Sequence, residues 1–169
     1  MTVTVNDLPR LLMFVCSGNT CRSPMAEGFM NSFLEKEGSE PLWKACSAGI
    51  LPSRGIPANE FAVKVMSEYG VDISRHRSTS LTDWELPEGT LFLGMTLWHK
   101  EELTRAFPER ASSIFLLGEA AGFQDRGTPV EVPDPFGFSI ASYRNIAGHV
   151  RDMTLALASS LGRDLRFVL

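Results

Sequence analysis

Four short apolar runs, each followed along the chain by a segment with apolar residues at helical spacing, constrain the fold more than any other feature. Short, unbroken apolar runs are typical of strands buried on both faces of a sheet, and a one-sided apolar stripe is typical of a covering helix. The alternation therefore predicts an α/β fold, a four-stranded parallel sheet with helices on both faces and right-handed crossovers. The strands are predicted at residues 10–16, 41–49, 89–95 and 112–118.

The predicted helices lie between these strands and after the last one. Ser23 is predicted as an N-cap with Pro24 at the first helical position, and Gly38 as the stop signal of that helix. Between the last strand and the last helix, residues 119–138 are rich in Gly and Pro and are predicted as a long loop, of a length that is often functional. Further helices are predicted at residues 59–70, 96–107 and 139–161.

The composition is that of a single globular domain over residues 1–169, because 44% of the residues are hydrophobic and 21% are charged. The net charge of −4 disfavours broad binding to nucleic acid or to an anionic membrane, which needs many cations. The first ten residues lack a secretory signal, and no apolar run approaches the roughly eighteen residues of a membrane span. Three cysteines are too few for a disulfide framework, so we expect a cytoplasmic protein.

An anion site is predicted in the loop that joins the first strand to the first helix. Five residues separate Cys16 from Arg22, and a loop this short can turn its backbone N–H groups inward at the helix N-terminus. Ligands of parallel α/β sheets bind beyond the carboxyl ends of the strands, which is where Cys16 lies. Arg22 adds a planar fork that can bind two oxygens of a tetrahedral oxyanion. These features favour the thiolate of Cys16, which is a nucleophile aimed at phosphorus when phosphate is bound.

Other interpretations of this loop are weaker. Taken one at a time, Cys16 is interpreted as a buried strand residue, Cys21 as a packed thiol and Arg22 as a solvated residue. Their combination within one short loop favours a catalytic site instead. A nucleotide-binding loop would need Gly-Lys-Ser/Thr, which the chain lacks here. Cys16 and Cys21 have no second ligand pair at zinc spacing, so no metal is predicted.

A candidate proton donor lies far from the loop in sequence. Asp134 is flanked by Pro133 and Pro135, whose fixed φ angles hold the backbone extended and present the carboxylate from a loop. Asp-Pro alone is a common turn signal. Phosphoryl transfer nevertheless needs a proton for the leaving group and a later acceptor for the proton of water, and Asp134 can serve as both.

Four stretches of the chain resemble the low-molecular-weight protein tyrosine phosphatases, and the resemblance covers nearly the whole chain. They are FVCSGNTCRSPMAE at 14–27, SAG at 47–49, GVDISRHRS at 70–78 and VPDPFG at 132–137. The resemblance implies the predicted sheet and a two-step hydrolysis, in which Cys16 attacks phosphorus, Asp134 protonates the leaving group and water then releases phosphate from a phosphocysteine. It also implies phosphorylated proteins as substrates and no metal or organic cofactor.

The same resemblance implies roles for the residues around the nucleophile. Arg22 binds the phosphate, Ser47 and His76 support the loop, and Phe136 forms a wall for the substrate. A solvated histidine in a basic turn is the alternative for His76. The predicted phosphate-binding residues of the loop are Ser17, Gly18, Asn19, Thr20, Cys21 and Ser23.

Thr20 bears on which phosphate is hydrolysed. Typical tyrosine phosphatases of the family have a bulky aliphatic residue at this position, whereas the protein-arginine phosphatase branch has threonine, and MTLWHK at 95–100 also resembles that branch. A hydroxyl here can hydrogen-bond a phosphoguanidinium, where isoleucine would only crowd it. The arginine branch often has a second glycine where this chain has Phe138, and a second aromatic residue suits a phosphotyrosine ring. Phosphoarginine and phosphotyrosine are therefore both retained, with phosphoarginine favoured.

Two other functions are weighed against a phosphatase. Thiol-dependent arsenate reductases share the fold and the loop but use two further downstream cysteines, and this chain has none after Cys46. A non-catalytic phosphate-binding module would have lost the nucleophile or the acid, and both are present. Cys21 is predicted as a redox partner of Cys16. His99 and His149 lie on predicted helices without visible partners and are interpreted as structural.

Overall fold

A four-stranded parallel sheet lies at the centre of the protein, as predicted. The structure is a computed structural model that describes residues 10–37, 42–124 and 130–164. The strands are β1 (Arg10–Cys16), β2 (Trp43–Gly49), β3 (Leu91–Gly94) and β4 (Ile114–Leu116). Their order is β2-β1-β3-β4, and all three pairings are parallel. From β1 the chain continues to β2 on one side of β1 and then crosses to β3 on the other side. Open α/β sheets bind ligands at such a change in strand order, here between β1 and β3.

Helices cover both faces of this sheet, as the alternating pattern predicts. They are α1 (Arg22–Glu37), α2 (Glu60–Glu68), α3 (Leu97–Ala106), α4 (Leu117–Ala120) and α5 (Ile140–Asp164), with 3₁₀ helices at Leu81–Asp83 and Pro108–Ser113. Side chains of β1 alternate between two cores: Leu12 and Phe14 pack towards α1, α2 and α5, and Met13 and Val15 pack towards α3. No helix within the described residues combines the length and apolarity needed to cross a membrane.

The start of α1 differs from the prediction. The helix begins at Arg22, one residue before the predicted N-cap, so Ser23 lies inside the first turn. The first helical hydrogen bond runs from Met25 N–H to the Cys21 carbonyl at 3.3 Å. Pro24 is tolerated because first-turn residues need no intrahelical N–H donor. The Ser23 hydroxyl is therefore not an N-cap, and it is available to the preceding loop; the predicted stop at Gly38 lies outside the described residues.

The last strand is also shorter than predicted. β4 ends at Leu116, and the chain turns at once into the short helix α4. The Glu119 carboxylate accepts the Leu116 N–H at 3.0 Å and pairs with Lys100 at 2.7 Å, which stabilises a helical turn where the sequence pattern predicts strand and then loop. The predicted loop at 119–138 therefore begins after α4, and its residues 125–129 lie outside the described residues.

Candidate active site

The loop between β1 and α1 is built around one unusual backbone conformation. Asn19 has a φ of 55°, the single non-glycine residue with positive φ in the described ranges. Asparagine adopts this left-handed conformation more readily than most residues. A left-handed residue beside right-handed ones turns successive backbone N–H groups towards one side, which makes an anion-binding concavity. The loop lies directly at the carboxyl end of β1.

The buried side chain of Asn19 holds this conformation in place. Its Oδ1 accepts the Thr79 N–H at 2.9 Å, and its Nδ2 donates to Ser23 Oγ and to Ser47 Oγ, each at 2.9 Å. The Asn19 carbonyl accepts the Nε2–H of His76 at 2.8 Å. Every polar group of a fully buried amide is thus satisfied, so the loop is fixed by groups from three other segments. The structure places predicted Ser47 and His76 in contact with the loop.

The Cys16 sulfur makes two hydrogen bonds within this network. The Asn19 backbone N–H points to the sulfur at 3.3 Å, and Ser23 Oγ lies 3.0 Å from it. Because Ser23 Oγ already accepts a hydrogen bond from Asn19, its own proton is available for the sulfur. The N-terminus of α1 adds positive potential at the same point. A buried sulfur with two donors beside a helix N-terminus is suited to carry negative charge.

Arg22 and Asp134 face each other across the loop. The Arg22 side chain is only 4% exposed; its Nη2 donates to Asp134 Oδ2 at 2.8 Å and its Nη1 to the Val132 carbonyl at 3.2 Å. The Nε of Arg22 is buried and has no hydrogen-bond partner among the described residues. An oxyanion in front of the loop would supply that acceptor. The other Asp134 oxygen accepts the Phe136 N–H at 3.1 Å, which sets the turn that presents the carboxylate.

These residues line a single pocket of about 230 Å³. The predicted nucleophile, phosphate-binding arginine and acid all contribute to its surface, and Phe136 stands at its mouth with 67% of its surface exposed. Ser17, Asn19 and Ser23, which were predicted to bind phosphate, are not among the residues that line the pocket. The lining residues are Cys16, Gly18, Thr20, Cys21, Arg22, Asp134 and Phe136.

Cys21 contacts a residue that sequence reasoning missed. Its sulfur lies 3.3 Å from the hydroxyl of Tyr143, which is buried on α5. Burial raises the pKa of Cys21, and the Tyr143 hydrogen bond offsets part of that rise. Cys16 and Cys21 are both free thiols in the structure, so the predicted redox pairing stays a prediction. Cys46 is buried in β2, and burial raises its pKa to about 11.

Two further residues near the loop were missed from the sequence. His99, interpreted as structural and without partners, lies against Ser17, with its Nε2 2.9 Å from Ser17 Oγ. Glu27 accepts a hydrogen bond from the Ser47 hydroxyl, and burial raises the pKa of Glu27. Glu27 follows Ser23 by one helical turn, so the i, i+4 spacing on α1 was an available signal. His149 packs against Phe123 with its Nε2 buried and, among the described residues, unpaired.

A close approach of two backbones positions the segment that carries Asp134. The Val132 N–H donates to the Met95 carbonyl at 2.7 Å, which extends β3 towards this segment. Gly118 in α4 faces the backbone of Val130, and a Cβ at Gly118 would lie 2.6 Å from the Val130 Cα. Real Cβ atoms do not approach backbone this closely, so an alanine at 118 must displace Val130 and the residues that follow. No group of three His, Cys, Asp or Glu side chains in the described segments is arranged to hold a metal ion.

We expect Gly118→Ala to impair the predicted acid, Asp134, more than the predicted nucleophile, Cys16. Displacement of the Asp134 segment should lower kcat/KM for phenyl phosphate, a poor leaving group, by ~10-fold to ~100-fold. For p-nitrophenyl phosphate the loss should be several-fold smaller, because its leaving group needs less protonation. Steady-state kinetics on both esters measures the ratio. Gly89→Ala is the control, since its Cβ meets nothing nearer than 3.7 Å; an equal loss on both esters would contradict the assignment.

Comparison with known proteins identifies the family of the chain. A family profile described as low molecular weight phosphotyrosine protein phosphatase matches residues 11–167. The protein-arginine-phosphatase of Bacillus subtilis (strain 168) is 34% identical over 155 residues, which are 92% of this chain and 99% of the relative. A probable low molecular weight protein-tyrosine-phosphatase, EpsP, of Ralstonia nicotianae is 34% identical over 134 residues, 79% of this chain and 83% of the relative.

A solved structure shows the same fold. The YwlE arginine phosphatase, solved as a cysteine-to-serine variant with a phosphorylated active-site serine, superposes with a TM-score of 0.82 and 35% identity. The superposition covers 92% of this chain and 98% of the other. The agreement therefore extends over nearly the whole length of both chains.

Proposed function

The chain belongs to the low molecular weight phosphotyrosine protein phosphatase family, and from this we infer that it is a cysteine-dependent phosphatase of phosphorylated proteins. One observation carries the proposal: a sulfur with two hydrogen-bond donors, an arginine with an unpaired Nε and a carboxylate line one pocket. That combination supplies a nucleophile, an oxyanion site and a proton donor, which together suffice for phosphoryl transfer.

In the first proposed step Cys16 attacks the phosphorus. A sulfur–phosphorus bond forms as the bond to the leaving atom breaks, and Asp134 gives its proton to that atom. The loop N–H groups and the Arg22 guanidinium bind the non-bridging oxygens, with the unpaired Nε as one donor. Ser23 and the Asn19 N–H stabilise the sulfur before attack.

In the second proposed step water releases phosphate from the phosphocysteine. Asp134, which is now a carboxylate, accepts a proton from the water while the water oxygen attacks phosphorus. The sulfur–phosphorus bond breaks, and the sulfur of Cys16 leaves as a thiolate. The phosphorylated serine in the YwlE variant supports a covalent intermediate for that protein, and we extend it to this chain. The scheme uses no metal ion and no organic cofactor.

For the substrate, the proposal favours phosphoarginine. Thr20 lines the pocket, and within the described residues the hydrogen-bond contact of its Oγ1 is a long one of 3.7 Å to Cys21 Sγ, which a guanidinium N–H would readily replace. The match to a protein-arginine-phosphatase over nearly the whole chain supports the same choice. Phosphotyrosine is the second candidate, because Phe136 and Phe138 are 67% and 65% exposed and offer apolar faces for an aryl ring.

A comparison of Thr20→Val and Thr20→Ile tests this choice. Valine keeps the shape of threonine without the hydroxyl, so Thr20→Val should lower the ratio of kcat/KM for a phosphoarginine protein to that for a phosphotyrosine peptide by about 10-fold. Thr20→Ile should lower it further because of its extra bulk. Wild type, assayed in parallel on both substrates, gives the reference ratio. An unchanged ratio in both variants would remove the argument from Thr20.

The proposal extends to the domain that carries the activity and to the compartment in which it acts. We take residues 1–169 as one catalytic domain that acts in the cytoplasm, where three free thiols stay reduced. Arsenate reduction is disfavoured because no cysteine follows Cys46. Oxidation of the protein thiols that depended on arsenate would support arsenate reduction instead. A binding module is disfavoured because both Cys16 and Asp134 are in place.

A further inference from the structure

His99 occupies a buried position beside the phosphate loop. It lies in the first turn of α3, immediately after β3, and is only 1% exposed. Gly94 makes this position possible, since a Cβ there would lie 3.2 Å from the Cβ of His99. The residue belongs to the stretch MTLWHK, to which the catalytic scheme above gives no role.

The hydrogen bonds of His99 determine where its proton lies. Its Nδ1 is 3.0 Å from the backbone N–H of Thr96, which can only donate, so Nδ1 is the acceptor and bears no proton. Burial, with Arg22 nearby, lowers the pKa of His99 to about 4, although Asp134 opposes the shift. The ring is therefore neutral near pH 7 and carries its proton on Nε2. That proton is donated to Ser17 Oγ at 2.9 Å.

Ser17 is the first loop residue after Cys16, and it also makes a backbone hydrogen bond to the chain that follows β2. Its carbonyl accepts the Leu51 N–H at 3.0 Å, just as the Cys16 carbonyl accepts the Ile50 N–H at 3.0 Å. The Asn19 side chain holds the middle of the loop from the β2 side. His99 reaches the loop from α3, beyond the other neighbour of β1, so the loop is held from both sides.

We propose that His99 is a positioning residue for the phosphate loop, which through its Nε2–H bond to Ser17 holds the first half of the loop in the conformation that binds an oxyanion. The inference rests on the proposed function, because it assigns His99 to the same pocket. A neutral imidazole suits this position: it supplies a donor without placing a second positive charge beside Arg22, whose guanidinium is the cation of the pocket.

Two substitutions separate the two hydrogen bonds of the ring. In His99→Asn the amide oxygen can still accept the Thr96 N–H, but the side chain is too short to reach Ser17. In His99→Gln the amide N–H can reach Ser17. We expect His99→Asn to raise the inhibition constant of inorganic phosphate and the KM for p-nitrophenyl phosphate by about 5-fold to 20-fold, and His99→Gln to stay within about twofold of wild type.

A double-mutant cycle tests whether His99 acts through Ser17. Ser17→Ala should weaken phosphate binding to a similar extent, and adding His99→Asn to it should cause no further loss. Isothermal titration with inorganic phosphate reads binding independently of turnover, and the melting temperature of each variant is measured alongside. Additive losses, unchanged phosphate binding in His99→Asn, or equal losses in the Asn and Gln variants would overturn the inference. Absence of turnover in a wild-type protein that binds phosphate would instead overturn the proposed function.

Discussion

The Cys16→Ser variant is expected to lose turnover of every phosphorylated substrate by about 10³-fold or more. Serine can occupy the same place, because the hydrogen bonds from Asn19 N–H and Ser23 Oγ can be made to oxygen as well as to sulfur. Its hydroxyl is a far weaker nucleophile than a thiolate, and the oxygen–phosphorus bond, once formed, breaks less readily. The introduced hydroxyl should therefore become phosphorylated and stay so, as the active-site serine does in the YwlE variant.

Intact-mass measurement after incubation with substrate detects the single phosphoryl group, and steady-state assays give the loss of turnover. Cys46→Ala is the matched control, because Cys46 is a free thiol buried in β2 that does not line the pocket. It should keep wild-type turnover. Near-normal hydrolysis by Cys16→Ser would show that another group attacks the phosphorus.

The Asp134→Asn variant is expected to lose kcat by about 10²-fold to 10⁴-fold on substrates with poor leaving groups. Asparagine keeps an oxygen for the Phe136 N–H but has no proton to give and no negative charge. The ion pair with Arg22 is lost at the same time, so the guanidinium becomes more available to an oxyanion. Binding of inorganic phosphate should therefore be unchanged or tighter while kcat falls.

Phenyl phosphate and p-nitrophenyl phosphate give the dependence on the leaving group, and inhibition by phosphate gives the binding. Glu131→Gln is the control, because Glu131 is a carboxylate three residues away that accepts the Leu97 N–H, a bond that glutamine can also accept. It should leave kcat unchanged. A loss in Asp134→Asn that came entirely from weaker phosphate binding would contradict a role as acid.

The sheet and the central chemistry could be predicted because both follow from strong, short-range patterns. Unbroken apolar runs identify the strands, and parallel strands bring their carboxyl ends to one edge. Cys16 is the last residue of the predicted first strand, so its place at that edge follows from the pattern. Asp134 was predictable only through its two prolines and the resemblance to a family, since nothing local says that it lies beside Arg22.

The parts that could not be predicted depend on contacts between distant segments. Ser23 has an N-cap sequence, but α1 starts at Arg22, so Ser23 lies inside the first helical turn. His99 lies 82 residues from Ser17 in sequence, and only the order of β1 and β3 in the sheet brings them together. The left-handed conformation of Asn19 is held by hydrogen bonds to Thr79 and Ser47, which lie 60 and 28 residues away in sequence. None of these has a local signature in the chain.

The ion pair between Arg22 and Asp134 has a consequence for product inhibition. Without a counter-ion, the buried Arg22 guanidinium would bind the product phosphate very tightly. Dissociation of phosphate would then be slow and would limit turnover. Here the Asp134 carboxylate lies 2.8 Å from the guanidinium, so once Asp134 has released the proton that it took from water, it competes with phosphate for Arg22. We therefore expect the residue proposed to move the proton also to weaken the binding of the product phosphate to Arg22.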